Sequence, residues 1–299
     1  MDGDGDERAT TLALWVDDVE HPAYVTTAAP DIDVEEPDDD YPEYPTMLAG
    51  YQLQAQQIDT SYNQGWTQTN GVRTTDQAIN RAANTAFGQG PDNDAMVVTV
   101  TYDGTNYYSS DAQARFCPMP PVGVVEWYGR MGPLGSGSFP AVWARPSGAG
   151  DGEMDFFEWK GKFWLQDPNH ISRFVMNYIT TYNGSYTNQK IKVINLGSGL
   201  NANSIDLTEW HHYRFRWTST SGTFWMDGIQ LGQITRANSV NQIGNTDFDS
   251  QFGGTHDWYL RVTYQFGLGT KGTAGGPADP NICPTQLWVR DIKIWEPEP

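Results

Sequence analysis

Cysteine is scarce in this chain, with two in 299 residues, Cys117 and Cys283. They form no Cys-x-x-Cys pair, which leaves no zinc or dithiol redox motif to read. Two readings of the pair stay open, one disulfide joining distant strands or two free thiols. Long apolar runs are also missing: none reaches the roughly 18 residues a spanning helix needs, so no membrane insertion is expected. Basic charge is short, 18 Lys and Arg against 37 Asp and Glu, for a net charge of −19. That balance argues against a nucleic-acid partner. No Gly-Lys-Ser/Thr follows Gly135-Ser136-Gly137-Ser138, so there is no phosphate loop, and no serine sits in a nucleophile elbow. The N-terminus carries acids instead of a basic-then-apolar pattern, so no secretory leader is read there.

The acidity is uneven. Residues 1–45 hold 15 acids and one base, Arg8. Within them Thr10–Val19 reads as a short strand, and 28–45, rich in Pro and acid, as an extended linker. The expected organisation is an acidic, largely extended arm over 1–45 and one β-sandwich domain over 46–299. The arm is either a solvated spacer or a segment that docks on an assembly partner.

Aromatic residues are abundant, 13% of the chain, with 12 Trp and 15 Tyr. That supply suits a sandwich core, with rings left over for a groove that stacks on the C–H faces of sugars. From Tyr51 onward, runs of four to ten residues are separated by Gly, Asn, Asp and Pro, the pattern of an all-β fold. Expected strands include 95–102, 107–116, 123–130, 141–145, 153–159, 172–182, 190–195, 210–218, 223–226, 258–266 and 286–295. Thr74–Phe87 is the best helical candidate, with a polar loop or a strand pair as its alternatives. Asp103-Gly104 and Asp227-Gly228 predict hairpin turns. His211 and His212 are adjacent on a strand, so they point to opposite faces and cannot easily share a metal.

Gly152-Glu153-Met154-Asp155-Phe156-Phe157-Glu158-Trp159 carries the strongest functional signal. Charges seldom enter such an apolar, aromatic segment unless they are paired or used. In a regular strand Glu153 and Asp155 share a face and Glu158 takes the other. One extra residue near Phe156-Phe157, a β-bulge, returns Glu158 to the first face, leaving Met154 and one phenylalanine for the core. Two carboxylates flanking a sugar linkage are the machinery of glycoside hydrolysis. Four strand steps span about 13 Å, whereas retaining enzymes hold their carboxyls about 5–5.5 Å apart, so the glutamates must lean together. An inverting separation of about 6.5–9.5 Å also fits. A solvated strand edge that guards against aggregation is the plainer reading of the same acids.

These residues resemble the Glu-x-Asp-x-(x)-Glu signature of glycoside hydrolase family 16, the laminarinase, lichenase, agarase and carrageenase group. Phe139-Pro140-Ala141-Val142-Trp143 is similar to its Trp-Pro-Ala-x-Trp strand, and Val124–Met131 to its Gly-x-x-Glu-x-Arg-x-Lys-x strand. Trp210–Trp217 is similar to Phe-His-x-Tyr-x-x-x-Trp, Phe224–Gly228 to the strand ending in Asp-Gly, and Leu287–Trp295 to the closing strand. The resemblance covers roughly residues 58–296 in order. It implies a two-sheet antiparallel jelly roll of the concanavalin A type, and retaining endo-hydrolysis of a β-linked polysaccharide such as a β-1,3-glucan or galactan. It implies Glu153 as nucleophile, Glu158 as acid/base and Asp155 as the residue orienting Glu153. Trp143, Trp159, Asn177, Glu126 and His256 are the candidates for substrate contact, with Trp143 flooring the sugar site. His211 matches a structural histidine. The chain departs from the pattern at Phe139, at Tyr128 where an arginine is usual, and at Asn177 where many members have histidine. No cofactor is required; a structural calcium is left open, with Asp291 as its candidate ligand.

The expected partner is a polysaccharide and the expected place of action is outside the cell, through a leader lacking from this sequence or incorporation into a virion. A carbohydrate-binding or structural adhesion protein on the same fold, with little turnover, is the alternative.

Overall fold

A computed structural model of the chain describes residues 48–146, 153–162, 173–182, 185–195, 206–235, 257–269 and 275–299, with the backbone alone over 173–182 and 185–195. The arm over 1–45, its strand-like piece and any attachment role lie outside the described residues, as does His256. No described helix is long and apolar enough to cross a membrane.

The described residues form eighteen strands. The first seven are β1 (Tyr51–Leu53), β2 (Thr67–Gln68), β3 (Gly71–Val72), β4 (Ile79–Asn80), β5 (Thr85–Gln89), β6 (Ala95–Tyr102) and β7 (Tyr107–Ser109). Next come β8 (Asp111–Met119), β9 (Gly123–Gly132), β10 (Ser138–Pro146), β11 (Glu153–Trp159), β12 (Arg173–Tyr182) and β13 (Ser185–Asn195). The chain closes with β14 (His211–Trp217), β15 (Ser221–Met226), β16 (Ile229–Thr235), β17 (Trp258–Phe266) and β18 (Thr285–Pro297). One sheet of seven strands runs β13-β12-β11-β10-β17-β8-β2. The other, of eleven, runs β16-β15-β14-β9-β18-β6-β7-β4-β3, with β1 and β5 pairing β18 and β6. Nearly all pairings are antiparallel; β4 with β7 is the parallel exception. The expected two-sheet antiparallel sandwich is the observed fold.

Alternation puts one face of each sheet into a shared core. Val125, Trp127 and Met131 of β9 enter it, as do Met154, Phe156, Phe157 and Trp159 of β11. Phe156 ties the acid-bearing strand to the opposite sheet. Its ring lies 4.7 Å from that of Phe215 and 6.3 Å from that of Trp127. Phe157 meets Tyr213 edge-on at 5.3 Å. Burying such rings contributes about 1.5–3 kcal/mol each, and this anchorage fixes where β11 presents its outer face.

Three local expectations change, and the open reading of the cysteines closes. Thr74–Phe87 is no α-helix: it contains β4, a short 3-10 turn at Ala82–Asn84 and the start of β5. The Asn84 side chain donates to the Thr99 carbonyl at 2.9 Å, and the Ala82 amide donates to the Asn70 side chain, so side-chain amides take over the hydrogen bonding a helix would supply. Both phenylalanines of the acid strand are buried, where one was expected. Cys117 and Cys283 are both free. Asp227 (φ 49°) and Gly228 (φ 75°) form a two-residue turn joining β15 to β16, whereas Asp103-Gly104 opens a four-residue loop between β6 and β7.

Candidate active site

β11 carries the predicted irregularity. Against β12, Asp155 pairs with Asn177 and Glu158 with Val175, so two residues, Phe156 and Phe157, face Met176 alone. Against β10, Asp155 pairs with Trp143 and Phe157 with Val142, again with one residue extra on β11. The extra residue restarts the alternation, so Asp155 and Glu158 both lie on the face away from the core while Phe156 and Phe157 are buried.

Register then aligns a row across the seven-stranded sheet. Asn177, Asp155, Trp143, Arg261, Gln113 and Thr67 stand opposite one another on successive strands. A parallel row holds Glu158, Ala141, Thr263 and Asp111. Trp143 is pinned within this grid. Its Nε1 donates to Thr263 Oγ1 at 3.1 Å, and the Arg261 guanidinium lies 4.0 Å from the indole centroid. Arg261 is held by a two-point ion pair to buried Asp111, with Nε to Oδ1 at 3.1 Å. One face of the indole therefore carries a cation, and the remaining face and edge keep the little exposure Trp143 has, 8%.

The three acids differ in surroundings. Burial pushes the Glu153 carboxyl above its ordinary value, Arg145 draws it back, and the Glu158 charge adds to the rise. Glu158 is buried and ion-paired to Lys160, whose Nζ is 3.0 Å from Oε2. Asp155 is 3% exposed, between the two glutamates along the strand. Directly after the strand, Gly161 packs against the carbonyls of Gly135 and Gly275. A Cβ there would sit 2.4–2.6 Å from those oxygens, so only glycine lets the chain leave the site this way.

Two expected substrate contacts lie elsewhere. Trp159 has no exposed surface and belongs to the core. The bulge that turns Glu158 outward turns its neighbour inward. Glu126 stands on β9 of the other sheet, 2% exposed. There Arg214 Nε and Nη2 donate to its Oε2 at 3.0 and 2.6 Å, and Trp295 Nε1 donates to Oε1 at 3.0 Å. Burial alone would raise this carboxyl, but the His212 hydrogen bond and the Arg214 charge hold it at about 2. Asn177 occupies the strand position opposite Asp155. His211 is structural in its contacts: Nδ1 is 2.7 Å from Asp227 Oδ2 and Nε2 is 2.9 Å from the Asp206 carbonyl. Asp291, the candidate calcium ligand, is exposed, has φ 49° and faces Lys293 Nζ at 3.0 Å. Among the described residues no group of three or more His, Cys, Asp or Glu side chains comes together.

Sequence reasoning missed Arg145, Arg261 and Lys160. Arg145 stands one register step beyond the Ala144–Met154 pair, opposite Glu153. Its signal was available, since it lies two residues after Trp143 and so shares its face.

A two-sheet antiparallel sandwich with an acid row across one outer sheet face is a jelly roll of the concanavalin A type. No protein-family model and no curated protein matches the chain. Solved structures do match. A family 16 glycoside hydrolase of the Bacteroides ovatus mixed-linkage glucan locus aligns at TM-score 0.64 and 15% identity, over 81% of this chain and 98% of that one. The laminarinase of Rhodothermus marinus aligns at 0.63 and 19%, over 83% and 98%. The laminarinase catalytic domain of Thermotoga maritima aligns at 0.62 and 16%, over 83% and 99%. The chain has the jelly-roll fold of glycoside hydrolase family 16.

Proposed function

We propose that this chain is an endo-acting glycoside hydrolase that cleaves a β-linked polysaccharide lying across the seven-stranded sheet. The single observation that carries the reading is the bulge in β11, which sets Glu158 on the same outer face as Asp155. A structural sandwich has no use for three desolvated acids there. The family-16-like fold supports the reading, as do similar structures described as laminarinases and glucanases.

In the proposed reaction Glu158 protonates the leaving glycosidic oxygen while Glu153 attacks the anomeric carbon. Water, deprotonated by Glu158, then releases the glycosyl-enzyme with net retention. Arg145 opposes the desolvation that would otherwise leave Glu153 protonated and poorly nucleophilic. Asp155 stands between them and orients Glu153. Lys160, 3.0 Å from Glu158 Oε2, stabilises the carboxylate that Glu158 becomes once it has given its proton to the leaving oxygen.

The test is incubation with laminarin, mixed-linkage glucan and agarose-type galactan, following reducing ends and reading the first product's anomer by proton NMR. Release of the β-anomer from one of them is the expected result. An α-anomer first product would overturn retention, and no release from any polymer would favour a binding protein on this fold.

A further inference from the structure

A cleft of about 460 Å³ opens beside the acid row on the seven-stranded sheet. It lies where β8, β10 and β17 approach the β2–β3 segment, and four arginines line it: Arg73, Arg115, Arg145 and Arg261. Asp111 is the one acid in the lining, and it is consumed by Arg261. Arg73 is matched by Asp76, with Nη2 2.8 Å from Oδ2. Arg115 and Arg145 form no ion pair with any described acid. Arg115 is preorganised instead by neutral groups. Its Nε donates to Gln113 Oε1 at 2.8 Å, its Nη2 donates to Tyr259 Oη at 2.9 Å, and its guanidinium lies 4.4 Å from the Tyr259 ring centroid. Arg145 stands between this cleft and Glu153, whose carboxyl feels its charge.

This concentration runs against the chain as a whole, which carries a net charge of −19. Guanidinium groups kept in place without carboxylate partners are placed for bidentate recognition of an oxyanion. The cleft also adjoins Trp143, through the Arg261 that stacks on it. A saccharide unit near Glu153 would therefore continue into a cationic pocket a few residues across the sheet.

The geometry points to this cleft as a subsite for an anionic substituent, a sulfate ester or a carboxylate, borne by the saccharide chain on the Trp143 side of the cleavage point. The inference rests on the reading of the acid row as a saccharide site and adds its substrate class. Arg115 supplies charge that no described acid pairs, and Arg145 charge that it shares with Glu153; Arg261 and Arg73, each already held by an aspartate, shape the wall.

The experiment uses the full chain carrying Glu153→Gln, so that ligand is not consumed, and measures binding by calorimetry. The probes are two matched pairs: sulfated galactan oligosaccharides with their desulfated forms, and uronate-bearing oligosaccharides with their carboxyl-reduced forms. About tenfold or tighter binding of the charged member of one pair is expected, the scale of one charge-assisted hydrogen-bonded contact, and the pair showing it identifies the anion. Adding Arg115→Gln and Arg145→Gln should bring that affinity down to the neutral member's; Arg115→Lys with Arg145→Lys should keep part of the difference. Equal affinities within both pairs would overturn the subsite, and so would a preference that survives the glutamine variant. The wild-type chain separates this from the hydrolase reading. Reducing-end release without any charge preference keeps the hydrolase and removes the subsite. A charge preference without release from any polymer keeps an anionic saccharide site and removes the hydrolase.

Discussion

Glu126 and Glu153 are the same residue type, each on the outer face of a sheet in one sandwich, and burial raises the proton affinity of both. Their fates differ because of what stands opposite. Glu126 meets Arg214, His212 and the Trp295 indole, a set that satisfies both its oxygens and holds it at about 2. Glu153 has Arg145 at some remove and another carboxylate, Glu158, on the same strand, and it ends above its ordinary value. A buried acid with every oxygen paired is a structural strut. One left among like charges stores proton affinity that chemistry can use.

The largest effect expected from this contrast is on rate. Glu153→Gln and Glu158→Gln should each lower polysaccharide cleavage by about 10²–10⁴-fold or more, with the folded state retained by circular dichroism. Glu126→Gln should leave kcat in the wild-type range while lowering the melting temperature. A Glu126→Gln protein that is folded but inactive would merge the two regions into one functional unit.

Next in size is stability. Arg214→Met leaves the Glu126 charge buried without its main counter-ion, and urea unfolding should report a loss of about 3–5 kcal/mol. A loss near zero would mean that His212 and Trp295 suffice.

The pH dependence sharpens the contrast because the signs oppose. Glu126 has a depressed folded-state value, so its contribution is present above the ordinary 4.5 and is lost as pH falls toward about 2. Glu153 has a raised one, so its ionisation burdens the folded state once pH climbs past 4.5. Thermal unfolding of Glu153→Gln should therefore show a gain over wild type at pH 7 that shrinks by pH 4. Glu126→Gln should show a deficit at pH 7 that shrinks toward pH 2. Gains or deficits of the same sign in both would break the comparison.

The smallest effect concerns His211. Burial would lower its pKa, but the Asp227 hydrogen bond raises it overall. The pair's contribution, roughly 1 kcal/mol, should be full below the ordinary histidine value and fade as pH rises through the shifted one. Melting curves of His211→Gln at pH 6 and pH 9 measure it, with the larger deficit expected at pH 6.

Much of this architecture was legible in the sequence because it rests on local pattern. Strands 95–102, 153–159 and 258–266 were placed with their observed ends, since their alternation is bounded by Gly, Asn, Asp or Pro. The bulge was legible because no regular strand puts Glu153, Asp155 and Glu158 on one face. Applied one residue further, the same reasoning would have buried Trp159. Glu126 was misassigned because alternation shows that it leaves the core but not which sheet carries it. That depends on β9 pairing β14 and β18, strands more than 80 residues away. The arginine cleft was illegible for the same reason: Arg73, Arg115, Arg145 and Arg261 converge only after β2, β8, β10 and β17 assemble. Thr74–Phe87 failed for want of tertiary context, where Asn70 and Thr99 supply the hydrogen-bond partners.

The opposed poise of the two glutamates can be read directly by carbon-13 NMR titration of side-chain carboxyls in glutamate-labelled protein, with Gln variants assigning the two signals. The account predicts that the Glu153 signal titrates above 4.5 and moves when Glu158 is neutralised, while the Glu126 signal stays ionised down to about 2. A Glu153 signal that titrates at or below the ordinary value and ignores Glu158 would contradict it.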